Sequence, residues 1–395
     1  MRYRRMAGIG LAAIAALSTL ALPGSPVAAA PAASRHASPV CATPAAGYAA
    51  CFAEVLTEVA PSGTARMAAA APTGYGPADL RGAYHLTTSG SATQTIAIVD
   101  AQDDPTAEAD LNAYRGYYGL PACTSASGCF RKVNQTGGTS YPAVDASWAL
   151  EISLDIEMAS AICPGCHILL VEATSASLTN LATAVDEAAA LGAKTISNSY
   201  GGSELLSWLF GVSSHYSHPG VAITASTGDN GYGVSFPASA PAVTAVGGTT
   251  LNWNGTTRTE TAWNGAGSGC SSFFAQPSGQ AGAGTGCSRH AVGDVSAVAD
   301  PATGVAVYDT TAYNGQSGWF RVGGTSVSSP IIASVIALAG NAASYTNSYP
   351  YSHTGSLNDV TTGSNGTCST SQWCNARAGW DGPTGLGTPN GTGAF

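Results

Sequence analysis

Charged residues are scarce in this 395-residue chain: they make up 9% of it, only 14 residues are Lys or Arg, and the formal net charge is −9. Because nucleic-acid binding needs a dense basic surface, this composition argues against a nucleic-acid partner. A surface that is polar mainly through Ser, Thr, Asn and Gly changes little when carboxylates are protonated. The composition therefore suits acidic surroundings.

A second long hydrophobic run is also missing. The first, residues 6–22, follows three arginines and precedes the small residues 28–30. This pattern is typical of a secretory signal peptide, and the alternative, a membrane anchor, is disfavoured because no further span follows. We therefore predict a signal peptide over residues 1–30, a secreted, extracellular protein, and no membrane contact in its mature form.

No cysteine–histidine spacing suggests zinc. The ten cysteines fall into close sequential pairs: Cys41/Cys51, Cys123/Cys129, Cys163/Cys166, Cys270/Cys287 and Cys368/Cys374. In an oxidising compartment, local disulfides are the expected outcome, although the sequence alone does not fix their connectivity. The Cys-Pro-Gly-Cys segment also fits a redox motif, but without thioredoxin-like surroundings a structural disulfide is favoured.

Strand-like and helix-like segments alternate from residue 94 onward. Continuous apolar runs typical of buried parallel strands lie at 94–100, 168–172, 193–199 and 221–226, and helical patterns at 150–161 and 178–191. The alternation predicts an α/β fold with a doubly wound, mainly parallel sheet and helices on both faces. We predict that residues 74–395 form the compact domain and that the Ala-, Pro- and Ser-rich residues 31–73 are a short propeptide or linker.

Polar clusters follow three of the predicted strands. Asp100 comes after the first, residues 198–202 follow the third, and residues 227–231 follow the fourth. Because functional sites in such sheets gather at the carboxyl ends of the strands, this distribution favours an enzyme.

The segment Gly323–Pro330, which reads GGTSVSSP, precedes an Ala- and Ile-rich helical run. The glycines permit a tight turn, and a serine in the first turn lies at the positive end of the helix dipole. Ser326 is therefore a candidate nucleophile, although an ordinary helix cap would use the same residue types. The full Gly-Thr-Ser-x-x-x-Pro pattern resembles the subtilisin superfamily and favours the nucleophile.

A serine nucleophile needs a base. None of the seven histidines lies in the His-Gly-Thr context of subtilisin-type enzymes. Glu151 and Asp155 instead stand four residues apart, on one face of an otherwise apolar predicted helix. Like charges at this spacing raise one pKa, and a pair that shares a proton can relay it to a serine. The alternative is a solvated helix face.

Several motifs, in their order along the chain, resemble the sedolisin family of serine-carboxyl peptidases: Glu151-x-x-x-Asp155, Gly228-Asp229 and Gly324-Thr325-Ser326. Further matching segments lie at 75–84, 299–304 and 379–387, so the resemblance extends over residues 74–391. It implies a subtilisin-like fold and an endopeptidase that acts on protein or peptide substrates at acidic pH. We expect a monomer.

By this resemblance, Ser326 is the nucleophile, Glu151 is the general base, and Asp155 orients and protonates that glutamate. Asp229 is the oxyanion-hole aspartate, which must be protonated to donate a hydrogen bond. On propensity alone, Asp229 is equally well a turn residue in its Gly-Asp-Asn-Gly loop.

Two further residues take supporting positions. Asp100 stands where some sedolisins have a glutamate that extends the carboxylate network. Tyr200 stands where the family often has Trp, which implies a position on the substrate side.

The resemblance also implies one structural calcium ion. Its ligands would be the side chains of Asp359 and Asp381 and the carbonyl oxygens of Val360, Arg377 and Gly379. Carboxylates and carbonyls in tight turns suit a hard cation. Without the resemblance, these residues describe a solvated loop.

Two other functions stay open. One is a histidine-dependent subtilisin-like protease that uses Asp100, a histidine and Ser326, against which the missing His-Gly-Thr segment argues. The other is a non-catalytic secreted binding protein on a peptidase scaffold, which the joint presence of the four catalytic candidates disfavours. The sequence also departs from the family, since typical sedolisins carry a large folded prosegment and only residues 31–73 precede this domain.

Overall fold

The computed structural model describes Met1 and residues 34–59, 65–66, 68–69 and 71–395. The predicted signal peptide, residues 1–30, lies almost wholly outside the described residues and stays a prediction. In the part of the chain that is described, no helix is both long enough and apolar enough to cross a membrane.

The described chain alternates short strands and helices. The strands are β1 (Ser34–Pro39), β2 (Ala50–Cys51), β3 (Glu54–Val59), β4 (Ala65–Arg66), β5 (Ala68–Ala69), β6 (Thr95–Ala101), β7 (Phe130–Asn134), β8 (His167–Ala173), β9 (Thr195–Asn198), β10 (Tyr200–Gly201), β11 (Ala222–Ser226), β12 (Thr244–Trp253), β13 (Arg258–Ala262), β14 (Gly269–Cys270), β15 (Ala291–Val292), β16 (Val295–Val298), β17 (Val305–Tyr313), β18 (Gln316–Gly323), β19 (Leu357–Asn358) and β20 (Thr388–Pro389). The α-helices are α1 (Pro77–Ala83), α2 (Ala107–Tyr117), α3 (Ala146–Ile162), α4 (Leu178–Ala190), α5 (Glu204–Leu209) and α6 (Thr325–Ala339).

The central sheet has the strand order β13-β12-β11-β9-β6-β8-β7, and β16 also pairs with β12. Its pairs are parallel, except that β13 runs antiparallel to β12. The four strands predicted from apolar runs are β6, β8, β9 and β11, and they lie side by side in this sheet. The predicted mainly parallel α/β sheet is therefore confirmed.

Helices cover both faces of this sheet. Ile98 of β6 packs in one apolar cluster with Ile152 of α3 and Ala333 of α6. Its neighbour Val99 belongs to the other cluster, which contains Leu181 of α4. Because successive side chains of a strand point to opposite faces, α3 and α6 lie on one face and α4 on the other.

Helix α3 is a core helix. It begins after Asp145, whose side chain accepts hydrogen bonds from the backbone N–H groups of Ser147 and Trp148, and it ends at Ile162, shortly before Pro164. Every residue from Trp148 to Ile162 is buried. Any carboxyl on this helix is therefore removed from bulk water.

A second sheet has the order β1-β3-β18-β17, with β4 pairing β3 and β5 pairing β18. The short strand β2 pairs with β10. Parts of the predicted propeptide or linker, residues 31–73, thus form strands against the compact domain. The role of residues 31–73 as a propeptide or linker, and the boundary at residue 74, stay predictions.

All ten cysteines are paired, and each bond joins sequential neighbours, as predicted: Cys41–Cys51, Cys123–Cys129, Cys163–Cys166, Cys270–Cys287 and Cys368–Cys374. The Cys-Pro-Gly-Cys segment is one of these bonds.

Candidate active site

Ser326 lies in the first turn of α6, where the sheet passes into the helix. The cap position is Gly324, and no side chain caps the helix there, so a capping role does not explain the serine. The Ser326 hydroxyl donates to the backbone oxygen of Ser199, 3.1 Å away. Gly324 has φ +95°, and a Cβ at this position would lie 1.8 Å from the carbonyl oxygen of Phe52. Glycine is therefore required beside the serine.

Glu151 and Asp155 are fully buried, which excludes a solvated helix face. The Glu151 Oε2 atom accepts the backbone N–H of Ala53 at 3.0 Å. The Asp155 Oδ1 atom accepts the Ser199 hydroxyl at 2.9 Å. Ser199 thus touches both the candidate nucleophile and the carboxyl pair. The spacing of the two carboxyls on one helical face brings both to this site, Glu151 beside Ser326 and Asp155 against Ser199.

Asp100, at the end of β6, extends this carboxyl network. Burial, and then the charges of Asp155, Glu151 and Glu172, raise its pKa well above the ordinary value. Burial and Asp155 likewise raise the pKa of Glu151, while the Ser326 hydroxyl beside it opposes the rise. Burial also raises the pKa of Asp155. Because these carboxyls cannot all ionise together, the network retains protons to higher pH than isolated carboxyls would.

Asp229 approaches Ser326 from the loop after β11. Its Oδ1 atom accepts the backbone N–H of Thr325 at 2.8 Å and the Thr325 hydroxyl at 2.7 Å. Its Oδ2 atom is buried and, among the described residues, has no hydrogen-bond partner. Burial raises the pKa of Asp229, and Thr325 opposes that shift. A proton on Oδ2 would therefore give this carboxyl a free donor at the site.

A peptide group of the chain itself lies among these residues. The carbonyl oxygen of Phe52 accepts the backbone N–H of Ser326 at 3.4 Å, and the next nitrogen, that of Ala53, donates to Glu151. The backbone N–H of Phe52 lies 3.1 Å from the Ser326 Oγ atom. The site can therefore hold an extended backbone with one amide between the serine and the carboxyl pair.

Comparison with known proteins matches these features. Residues 138–363 match the model of the subtilase family (Peptidase_S8). The chain belongs to the subtilase family. Kumamolisin from Bacillus sp. (strain MN-32) is 32% identical over 370 residues, which is 83% of this chain and 64% of kumamolisin. Sedolisin from Pseudomonas sp. (strain 101) is 35% identical over 177 residues, 40% of this chain and 29% of sedolisin.

Among solved structures, this subtilase is similar to Pseudomonas sedolisin, a serine-carboxyl proteinase, complexed with two molecules of pseudo-iodotyrostatin. The TM-score is 0.69 at 28% identity, covering 81% of this chain and 96% of that chain. The predicted resemblance to sedolisins is thus confirmed. The chain spans 64% or less of the length of these two curated relatives.

The side chain of Tyr200 is fully buried in the subtilase core. Its hydroxyl donates to Asn198 Oδ1 at 2.7 Å and lies 3.1 Å from the Tyr216 hydroxyl. Its backbone, in β10, pairs with Cys51. A substrate-side role for Tyr200 stays a prediction. Because the ring is buried, the backbone of Tyr200 is the part that would contact a substrate.

The residues predicted to hold calcium gather in one loop region. Asp381 is buried, and its Oδ2 atom accepts the backbone N–H of Arg377 at 3.0 Å. Asp359 accepts the backbone N–H of Gly379 at 2.9 Å and is followed by buried Val360. Burial, with a smaller contribution from the charge of Asp359, raises the pKa of Asp381 to about 7. Two carboxyls in adjoining tight turns are a donor set that suits a divalent cation.

A separate acidic cluster was not predicted. Carboxyl oxygens of Asp104, Asp110 and Asp309 lie within 4.8 Å of one another and are buried. Asp110 comes from α2 and Asp309 from β17, so no local pattern in the sequence could have joined them.

Sequence reasoning also missed the roles of Ser199, Thr325, Phe52 and Ala53. Ser199 and Thr325 lie inside motifs that the sequence analysis had already assigned to the site. The roles of the neighbouring residues could therefore have pointed to these two as well. Phe52 and Ala53 stand in a segment whose composition resembles a linker, and no local signal points to the active site.

Proposed function

We propose that this chain is a secreted serine-carboxyl endopeptidase that hydrolyses proteins or peptides at acidic pH. The observation that carries the proposal is the Phe52–Ala53 amide, which contacts the Ser326 N–H through its oxygen and Glu151 through its nitrogen. Similarity to kumamolisin and sedolisin supports the same chemistry. Secretion is supported by the predicted signal peptide and by the five disulfides.

In this proposal Ser326 Oγ attacks the substrate carbonyl carbon and Glu151 accepts its proton, with Asp155 behind that glutamate. The developing oxyanion receives hydrogen bonds from the Ser326 N–H and from protonated Asp229. Glu151 then gives its proton to the leaving nitrogen, and water hydrolyses the acyl-enzyme. Asp100 supports the network by competing for the same protons.

The pH dependence follows from the two carboxyl roles. Glu151 must be ionised to accept a proton, whereas Asp229 must be protonated to donate a hydrogen bond. Activity should therefore be bell-shaped, with limbs that belong to the coupled carboxyl network. Burial raises the pKa values of both residues, so the window extends upward from the ordinary carboxyl range near pH ~4.

We also propose one structural calcium ion at the Asp359–Asp381 loops, held by those side chains and by the carbonyl oxygens of Val360, Arg377 and Gly379. The ion would neutralise the two carboxylates and tie the loops together. It takes no part in the bond-breaking steps.

The test is a pH profile of denatured-protein digestion, run with Ser326→Ala and with Ser328→Ala as a matched control on the same helix. Ser326→Ala should lower the rate by at least about a thousandfold, and Ser328→Ala should not. An optimum at or above neutrality would contradict the serine-carboxyl mechanism. No digestion at any pH would favour a binding protein.

A further inference from the structure

Helix α5 turns its polar side chains toward the domain. Glu204 and Ser207, three residues apart, are both buried. The Glu204 carboxylate accepts hydrogen bonds from the Ser271 hydroxyl and from the Ser272 N–H, the latter at 3.1 Å. Leu206 packs against the core beside them. A surface helix ordinarily directs its apolar stripe inward and its polar side to solvent, so the orientation of α5 is unusual.

The outward side of this helix is apolar, and we call it the α5 face: Leu205, Trp208 and Leu209, with Phe210 directly after the helix. The exposed fractions of these four residues are 47%, 51%, 58% and 55%. The first three follow the i, i+3, i+4 spacing of a single helical face. The Trp208 ring also stacks on Phe273, with 5.4 Å between the ring centroids. Such an exposed apolar patch is characteristic of an interaction surface.

The α5 face lies next to the strand that lines the active site, since only two residues separate β10 from α5. Ala50 and Cys51 pair antiparallel with β10. The Phe52 N–H continues this ladder by donating to the Ser199 carbonyl oxygen at 3.1 Å. The amide after Phe52 lies at Ser326, so an extended chain on the acyl side of a cleaved bond would add to β10 in the same way.

The backbone of this segment continues from β10 to the α5 face. The Leu178 N–H donates to the Gly47 carbonyl oxygen at 3.0 Å, which fixes the backbone there. A Cβ on Gly47 would lie 3.3 Å from the Phe210 ring. Counting Phe52 as the first residue before the amide at the nucleophile, Gly47 is the sixth. A substrate that takes the place of this segment therefore brings the side chain of its sixth residue to Phe210.

We propose that the α5 face extends the substrate cleft on the acyl side and binds a large apolar or aromatic side chain six residues before the cleaved bond. The inference rests on the proposed function and names a class of substrates for it. Extended protein segments with an apolar residue at this distance from the bond are bound more tightly than short peptides or segments that are polar there. Phe210 makes the contact with that residue.

Two observations favour a substrate as the occupant of the α5 face. The only charged residue of α5 is Glu204, and it is buried, so no charge of the helix opposes an apolar side chain on this face. The face is also continuous with β10, so one extended chain can contact the catalytic serine and the face together. A partner unrelated to catalysis would not require this continuity.

The experiment compares two peptides that differ only at the sixth residue before the cleaved bond, which is Phe in one and Ser in the other. The cleavage position is verified by mass, and the full chain is assayed at its acidic optimum. The parental chain should prefer the Phe peptide about fivefold to tenfold in kcat/KM, because one aromatic side chain is partly buried. The preference should lie in KM, since the contact is remote from the reacting bond.

Phe210→Ser should reduce this preference below about twofold, whereas Phe210→Leu should keep most of it. Tyr117→Ser removes an equally exposed aromatic from α2 and, as the matched control, should keep it in full. Equal rates for the two peptides in the parental chain, or an equal loss for both in Phe210→Ser, would overturn the inference while the proposed function stands. So would an unchanged preference in Phe210→Ser together with lost self-association or lost vesicle binding in sedimentation, which would assign the face to a second copy or a lipid. No cleavage of any peptide or denatured protein would instead contradict the proposed function itself.

Discussion

Two groups of buried carboxyls lie on opposite faces of helix α3, and they are held in different ways. Glu151 and Asp155 face Asp100, and in the described chain four oxygens of these three carboxyls lack a hydrogen-bond partner: both of Asp100, Oε1 of Glu151 and Oδ2 of Asp155. These three residues belong to the proposed catalytic site and are called the catalytic group here.

The other group, Asp104, Asp110 and Asp309, is called the structural group here. The Thr310 N–H and hydroxyl donate to Asp110, and the Thr311 N–H donates to Asp309 at 2.7 Å. Asp104 accepts the N–H and hydroxyl of Thr106 and the Ser153 hydroxyl. One oxygen, Asp309 Oδ2, lacks a partner within the described residues.

The difference supports the proposal that the catalytic group, and not the structural group, carries the chemistry. A buried polar atom without a partner costs about 1–3 kcal/mol, so a fold retains several together only where something else requires them. Proton transfer requires oxygens that are free to accept and release protons. A network whose lone pairs are filled by hydroxyls and amides stabilises the fold and has little capacity left for catalysis.

The largest expected contrast is between two glutamates of α3. Glu151→Gln should lower kcat/KM by at least about a thousandfold, because an amide cannot accept the serine proton. Glu157→Gln makes the same change on the opposite face, at a buried residue that accepts the Tyr308 N–H, and should keep near-parental activity. Both values come from peptide hydrolysis at the acidic optimum. Equal losses in the two variants would remove the distinction between the faces.

Asp229→Asn should have the next largest effect, a loss of about a hundredfold to a thousandfold in kcat, as for removal of an oxyanion-hole donor. The pH profile of this variant tests whether Asp229 must be protonated for activity. Burial raises the pKa of Asp229, and parental activity should fall on the alkaline side as this carboxyl ionises. An amide cannot ionise, so the remaining activity should persist to higher pH. An unmoved alkaline limb would assign that limb to another residue.

How far the sequence predicts each region depends on how local its signal is. Strands β6, β8, β9 and β11 were predicted because buried parallel strands are continuous apolar runs. The Glu151–Asp155 face was predicted because helical spacing is local. Sequence proximity likewise gave all five disulfide pairs.

Features that join distant segments could not be predicted in this way. Strand β3 pairs with β18, and the Phe52 N–H lies against Ser326, 274 residues further along the chain. Asp110 meets Thr310 across 200 residues. Within residues 31–73, β1 pairs with β3, but β2, β3 and β5 also pair with strands far along the chain, and the composition of the segment does not show those distant pairings. The structural group was not predicted either, because its three residues come from distant segments of the chain.

A third acidic site, formed by Asp359 and Asp381, is the proposed calcium site, and removal of calcium tests it. An ion bound only by the folded chain contributes about 2.7 kcal/mol at a hundredfold excess over its Kd, so chelator should lower the Tm. Asp381→Ala should abolish this sensitivity, whereas Asp110→Asn should keep it. Identical melting with chelator and with excess calcium would contradict the site. Loss of sensitivity in Asp110→Asn alone would move the ion to the structural group.

The smallest expected effect is on the pH dependence of stability. Burial raises the pKa of Asp309 to about 8, the charges of Asp104 and Asp110 add to the rise, and the Thr311 N–H opposes it. In the unfolded chain the same carboxyl titrates near pH ~4. Between these values the folded chain binds the extra proton, so this contribution to stability is fully present below pH ~4 and is lost as pH rises through about 8.

The Tm should therefore fall between mildly acidic and mildly alkaline pH, measured in a Ser326→Ala background so that self-digestion does not interfere. Asp309→Asn carries no titrating proton at this position and should show a smaller fall. Glu187→Gln, the same chemical change at a partly exposed residue of α4, should follow the parental curve. A Tm that rises over this range, or an equal fall in both variants, would show that Asp309 does not retain its proton in the folded chain. The structural group would then resemble an ordinary set of ionised carboxylates, and its contrast with the catalytic group would rest on hydrogen bonding alone.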